Sequence, residues 1–277
     1  MRQTKAIGLP YTVGTAVHSV AEVPKILMFD LECSPSRGYF YDYKKEYNII
    51  EIDQHTYMLS IAWKWKGEKT IHCKALPDFP LYKRDKHDDY ELVKFLHGLI
   101  SQADFVIGHN GDSFDIKYAN TRFLKHRLGP PEPYKTRDTL KLSRKFSHQP
   151  THRLDALAKF HGIGQKLPHT GKHLWFSCMA NKYDASAWRL MKRYNKHDVY
   201  LLDKIHDLYA PWDTGPSDNL IHRTAAICPK IGCGSTRRWR QGRRYVKGGF
   251  KYQYQCLHCL GWYTENDIQK LPKLTFS

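Results

Sequence analysis

The chain has 277 residues, 41% of them hydrophobic and 13% aromatic, with 44 Lys and Arg against 27 Asp and Glu, a formal charge of +17. This composition excludes a disordered chain and suits one principal core with a smaller appendage, while the positive field points to a polyanion, nucleic acid ahead of a membrane surface. No apolar run of about 18 residues and no signal-type leader occurs, so the expectation is an intracellular protein without a membrane span.

Residues 1–24 have little periodicity and contain Gly8, Pro10, Gly14 and Pro24, which reads as a leader. The apolar run Lys25 to Leu31 predicts a buried strand that carries Asp30 and Glu32 at its end. Side chains two apart on a strand share a face. Tyr57 to Trp65 and Lys69 to Ala75, either side of Gly67, predict a hairpin, so the first three strands are expected to be antiparallel. Leu92, Val93, Phe95, Leu96, Leu99 and Ile100 recur at helical spacing, and Phe105 to Gly108 follows as a short buried strand.

A helix is predicted from Ile116 to Leu128, stopped by Gly129-Pro130-Pro131, with short helices at 139–146 and 154–161. The loop 162–172, rich in Gly, Pro, His and Lys, is a candidate for phosphate contact. Ala187 to Leu208 is a long amphipathic helix closed off by Pro211, and Tyr194 and Asp198 lie four apart on one of its faces. The composition then turns to that of a linker, assigned to residues 213–226, and a basic module at 227–277 follows. From residue 221 onward there are eleven Lys and Arg against Glu265 and Asp267, a net +9.

Three acidic signatures stand out: Asp30-x-Glu32, Asn110-x-x-x-Phe114-Asp115 and Tyr194-x-x-x-Asp198. An acid-x-acid pair is weak by itself, but this one ends an apolar strand, where bare charge is costly without a ligand. Carboxylates converging from distant segments suit two divalent cations that stabilise the attacking and leaving oxygens of an in-line displacement. Asp112 is an alternative to Asp115 if the register slips. Asp138, Asp155, Asp203 and Asp207 read as caps or solvated faces, and His197 as pointing away from Asp198. Tyr194 also reads as an apolar-face aromatic with a satisfied hydroxyl.

In this order the three segments resemble motifs I, II and III of the DEDD superfamily of 3′–5′ exonucleases, in the tyrosine subtype found in proofreading domains of family B DNA polymerases. The histidine subtype has a His five residues before the last Asp, a position held here by Arg193. Arg137 to Leu140 and Leu154 to Ala158 resemble the stretch between motifs II and III, and the likeness runs from about residue 25 to 212. It implies an α/β fold, a ribonuclease H-like mixed sheet flanked by helices. It further implies that Asp30, Glu32, Asp115 and Asp198 ligate two Mg²⁺ or Mn²⁺ ions, with Tyr194 assisting catalysis. Asn110 and Phe114 are candidates for substrate contact or for bracing the motif.

Cys228 and Cys233, a gap of 22 residues, then Cys256 and Cys259 have the spacing of a zinc ribbon, a small β module closed by one structural Zn²⁺. His222 and His258 are substitute ligands. Between the knuckles, Arg237, Arg238, Trp239, Arg240, Arg243, Arg244 and Tyr245 interleave cations with aromatics, a pattern that holds phosphates and stacks on bases. The expectation is a monomeric 3′–5′ exonuclease acting on nucleic acid, DNA in preference to RNA, gripped by the ribbon. A structure-selective endonuclease on the same fold and a non-catalytic nucleic-acid binder remain open at this point.

Overall fold

A computed structural model of the protein describes residues 24–41, 49–168, 171–213, 227–230, 232–246 and 249–265, without the side chains of Gln241 and Tyr245. The leader 1–23 and most of the expected linker, 214–226, lie outside the described residues. The chain runs β1 (Ile26–Cys33), β2 (Arg37–Tyr39), β3 (Glu51–Gln54), β4 (Met58–Trp65), β5 (His72–Ala75), α1 (Tyr90–Ile100), β6 (Phe105–Gly108), α2 (Asp115–Lys125) and β7 (Lys135–Asp138). It continues with α3 (Thr139–Phe146), α4 (Leu154–Phe160), α5 (Lys172–Met179), α6 (Ala185–Tyr209), β8 (Arg238–Val246), β9 (Gly249–Cys256) and β10 (Trp262–Thr264).

Five strands form a mixed sheet in the order β5-β4-β1-β6-β7. The first three are antiparallel neighbours, as the aromatic and β-branched residues around the Gly67 turn predict, whereas β6 and β7 run parallel to β1. Strand β1 is covered on both faces, which explains its unbroken apolar run. Leu27, Phe29 and Leu31 pack into the large core with α1 and α2. Ile26 and Met28 face the other way, against Val199 and Leu202 of α6. By that alternation Asp30 and Glu32 emerge on the α6 side, where Asp198 waits.

Helix α6 starts where Asp184 caps it, accepting from the Ser186 and Ala187 amides at 2.9 and 3.1 Å, and lies across β1, β4 and β5. A tight turn links β6 to α2: Asn110 has φ 63°, and a Cβ on Gly108 would stand 3.0 Å from the Gly111 Cα. That close approach of two glycines lets the chain reverse and deliver Asp115 to the first turn of α2.

Three elements escape the sequence reading. The β2–β3 hairpin is exposed and its strands lack strong alternation. Strand β7, Lys-Thr-Arg-Asp, has no apolar residue and is held by pairing with β6 at the sheet edge. Helix α5 has eight residues, too short for its period to stand out.

Beneath α2, fully buried Asp89 accepts from Arg122 Nε at 2.8 Å and Nη2 at 2.5 Å, from the Met58 amide at 2.8 Å, and meets His126 Nε2 at 2.6 Å. One carboxylate thereby ties α1, α2 and β4 together. Asp89→Ala strands a buried guanidinium and is expected to destabilise the fold by about 3–5 kcal/mol. Urea unfolding checks this, and a loss under about 1 kcal/mol would contradict the arrangement.

Candidate active site

One carboxylate oxygen each from Asp30, Glu32 and Asp198 lies within 4.8 Å of the others. Strand β1 supplies the first two and α6 the third. Asn195, fully buried one residue after Tyr194, clamps the two elements: its Nδ2 donates to Asp30 Oδ2 at 2.7 Å and to the Asp30 carbonyl at 3.1 Å, while its Oδ1 accepts from Ser60 Oγ at 3.0 Å. Asp115 stands outside the three-acid group, its Oδ1 accepting a hydrogen bond from the Leu31 backbone N–H at 3.3 Å, and close enough that its charge bears on Asp30. The structure therefore brings the four predicted acids to the end of β1, three in mutual contact range and the fourth close enough to act on Asp30.

Lys166, from the loop expected to touch phosphate, reaches into this group. Its Nζ donates to Asp198 Oδ2 at 2.6 Å and to the Tyr194 hydroxyl at 2.9 Å. The loop is pinned for that purpose: the Lys166 amide donates to Asp155 at 2.8 Å, and His197 Nε2 meets the Gln165 carbonyl at 2.7 Å. Asp155 and His197, read from sequence as bystanders, thus hold a cation over Asp198.

Burial, then repulsion from Asp115, Glu32 and Asp198, holds Asp30 well above the usual carboxylate range. Burial and Asp198 push Glu32 up to about 8. Burial raises Asp115 to about 7 against the pull of the Leu31 amide, and it raises Asp198 despite Lys166. Asp198 Oδ1 is buried without a hydrogen-bond partner among the described residues. An orphaned carboxylate oxygen inside a cluster of crowded acids is what a hard divalent cation satisfies, so the residues present fit a metal.

A family model described as RNase_H superfamily matches residues 50–210, more than half of the chain. The chain belongs to the RNase H superfamily. The matched span runs from just before β3 into the 3-10 turn after α6 and includes Asp115, Lys166, Tyr194 and Asp198, whereas Asp30 and Glu32 lie before it. Metal-dependent nuclease chemistry on nucleic acid comes with that membership. No curated protein matches the chain.

Around the acids of this RNase H superfamily domain, the other predicted residues take distinct places. Phe114 is half exposed, stacks on Tyr118 with centroids 6.0 Å apart, and with Cys33, Trp175 and Phe176 lines an apolar cavity of about 790 Å³ beside Glu32 and Asp115. The Asn110 backbone N–H donates to Asp138 Oδ1 at 2.9 Å, which makes it part of the turn. Asp138 also caps α3 through the Leu140 amide, and Asp112 pairs with Lys141 at 2.6 Å, so neither joins the acids. Asp203 is paired with Lys64 and Lys66. Sequence reasoning did not single out Asn195, Lys166 or Trp175; the signals were the place of Asn195 inside the third motif and that of Lys166 in the loop 162–172.

The four late cysteines form a second group with sulfurs within 4.8 Å of one another. Cys228 and Cys259 sulfurs are 3.8 Å apart and those of Cys233 and Cys256 are 3.7 Å apart. A tetrahedral ion with bonds of about 2.3 Å requires sulfur separations of about 3.8 Å. His258 Nδ1 lies 3.6 Å from Cys233 Sγ, and His222 is outside the described residues. Arg238, Arg240, Arg243 and Arg244 lie on β8 with Trp239, and Arg237 directly precedes it.

Without divalent metal the fold favours the protonated acids. For Glu32, which moves from 4.5 to about 8, the contribution to stability is full below about 4.5 and is lost as pH rises to about 8. In magnesium-free buffer, Tm is expected to fall between pH 6 and 8.5, less steeply in Glu32→Gln, and added Mg²⁺ should reverse the slope; a metal-free Tm that rises equally in both proteins contradicts the assignment. Lys166→Met frees Asp198 from its ion pair and should tighten Mn²⁺ binding about 5-fold, read by calorimetry. Weaker binding would show that Lys166 shapes the site instead of competing for it.

Proposed function

We propose that the protein is a two-metal 3′–5′ exonuclease of the tyrosine subtype, with a nuclease domain at residues 25–212 and a zinc ribbon at 227–277 that grips the strand, DNA in preference to RNA. The observation that carries this reading is the convergence of Asp30, Glu32 and Asp198, with Lys166 joining Asp198 to the Tyr194 hydroxyl. Asp30, Glu32, Asp115 and Asp198 would hold two Mg²⁺ or Mn²⁺ ions, which supply Lewis-acid stabilisation of the charge that develops at phosphorus. Cys228, Cys233, Cys256 and Cys259 would hold one structural Zn²⁺.

The chain's own groups define the remaining roles. Burial and the charge of Asp198 push the Tyr194 phenol up to about 12, so it stays protonated and orients a nucleophilic water by hydrogen bonding instead of removing its proton outright. Lys166 keeps Tyr194 and Asp198 in register and offers a cation to the phosphate. The ring-lined cavity beside Asp115 suits a terminal base, with Phe114 as its outer wall. Asn195 holds Asp30 in place across the gap between strand and helix.

End-labelled linear strands and a circular strand of the same sequence test the proposal. Mg²⁺-dependent release of mononucleotides from 3′ ends, an intact circle, and a loss of at least about 100-fold in Asp198→Ala are expected. Scission of the circle would replace the exonuclease with an endonuclease. Binding without any metal-dependent hydrolysis would remove the catalytic reading altogether.

A further inference from the structure

The ribbon sheet, ordered β10-β9-β8, has two unlike faces. On one, Arg238, Arg240 and Arg243 lie over Tyr254, Tyr252 and Phe250 with centroid distances of 4.9, 4.8 and 4.6 Å. A bulge between Arg240 and Gly242 keeps Arg243 in that row. Tyr254 stacks further on Tyr263, and Phe250 is buried. These rings, which the sequence offers to bases, are engaged by the protein's own guanidiniums and by each other.

The opposite face differs. Trp239 pairs with Gln255 on one side and Trp262 pairs with the same Gln255 on the other, so all three project from one face in one row. Trp239 is 59% exposed and Trp262 38%. Two strand spacings separate them, about 10 Å. Farther along the same face, past the Gly242–Gln253 rung, Arg244 pairs with Lys251. Exposed indoles beside cations on a basic sheet match a polyanion that carries flat rings, and a duplex hides its rings inside the stack.

Resting on the nucleic-acid reading above, we infer that the Trp239–Gln255–Trp262 face is a stacking platform for single-stranded nucleic acid, in which each indole takes one unpaired base and the Arg244–Lys251 rung meets the backbone. The arginine ladder on the other face holds the small sheet rigid. Recognition of this kind is tolerant of sequence and selective for unpaired strands, which would deliver frayed or single-stranded ends to the carboxylates.

The test uses the full-length chain with magnesium omitted, so that binding is read apart from hydrolysis. Fluorescence polarisation of a labelled 20-nucleotide thymidine strand and of a 20-base-pair duplex is measured across a salt series. Trp239→Ala and Trp262→Ala should each weaken single-strand binding about 10-fold, with duplex binding and the salt slope unchanged. Trp239→Phe and Trp262→Phe should retain most of the affinity, and retained zinc in every variant establishes that the module is folded. Equal losses on strand and duplex, or unchanged single-strand affinity in both alanine variants, would overturn the inference. Either result leaves the exonuclease reading intact if 3′ hydrolysis persists, whereas absent hydrolysis with Trp-dependent binding would remove that reading and keep this one.

Discussion

Like charges do not share a buried space without compensation, and that constraint organises the nuclease half of this protein. Asp30, Glu32 and Asp198 meet where burial alone already raises each carboxyl. Asn195 and Lys166 make the meeting tolerable, one by donating to Asp30 and the other by placing an ammonium on Asp198. Both depend on α6 lying across the same face of β1 from which the acids emerge. The geometry fits a site that cations from solution would complete, with Lys166 as an internal substitute for part of that charge.

The ribbon meets a different constraint. Among the described residues its buried apolar groups are Cys228, Cys256, Tyr263 and Phe250, too few to order a three-stranded sheet by burial. A tetrahedral ion on the four sulfurs would supply what the core does not. Cation–π contacts between β8 and β9 then reinforce the hairpin across its strands and divide the sheet into a braced face and an open one.

Much of this was legible in the sequence because the relevant signals are periodic or chemically costly. The apolar run before Asp30 marked the central strand, and the aromatic and β-branched residues from Tyr57 to Trp65, followed by the Gly67 turn, marked its antiparallel neighbour. The spacing of Tyr194 and Asp198 put both on one face of α6. What stayed hidden depends on contacts between distant segments. Nothing local marks Lys166 as the partner of Asp198, 32 positions away, or Asn195 as the clamp on Asp30. Strand β7 exists through pairing with β6, and the shared row of Trp239 and Trp262 follows from the register of three strands.

The most direct measurement is a calorimetric Mn²⁺ titration of the full-length, zinc-loaded chain beside its Asp30→Asn and Asp198→Asn variants. Two ions bound by the parent, with at least one lost in each variant, are the predicted result. An unchanged stoichiometry and affinity in Asp198→Asn would contradict the account, because the orphaned oxygen of Asp198 could then not belong to a metal centre.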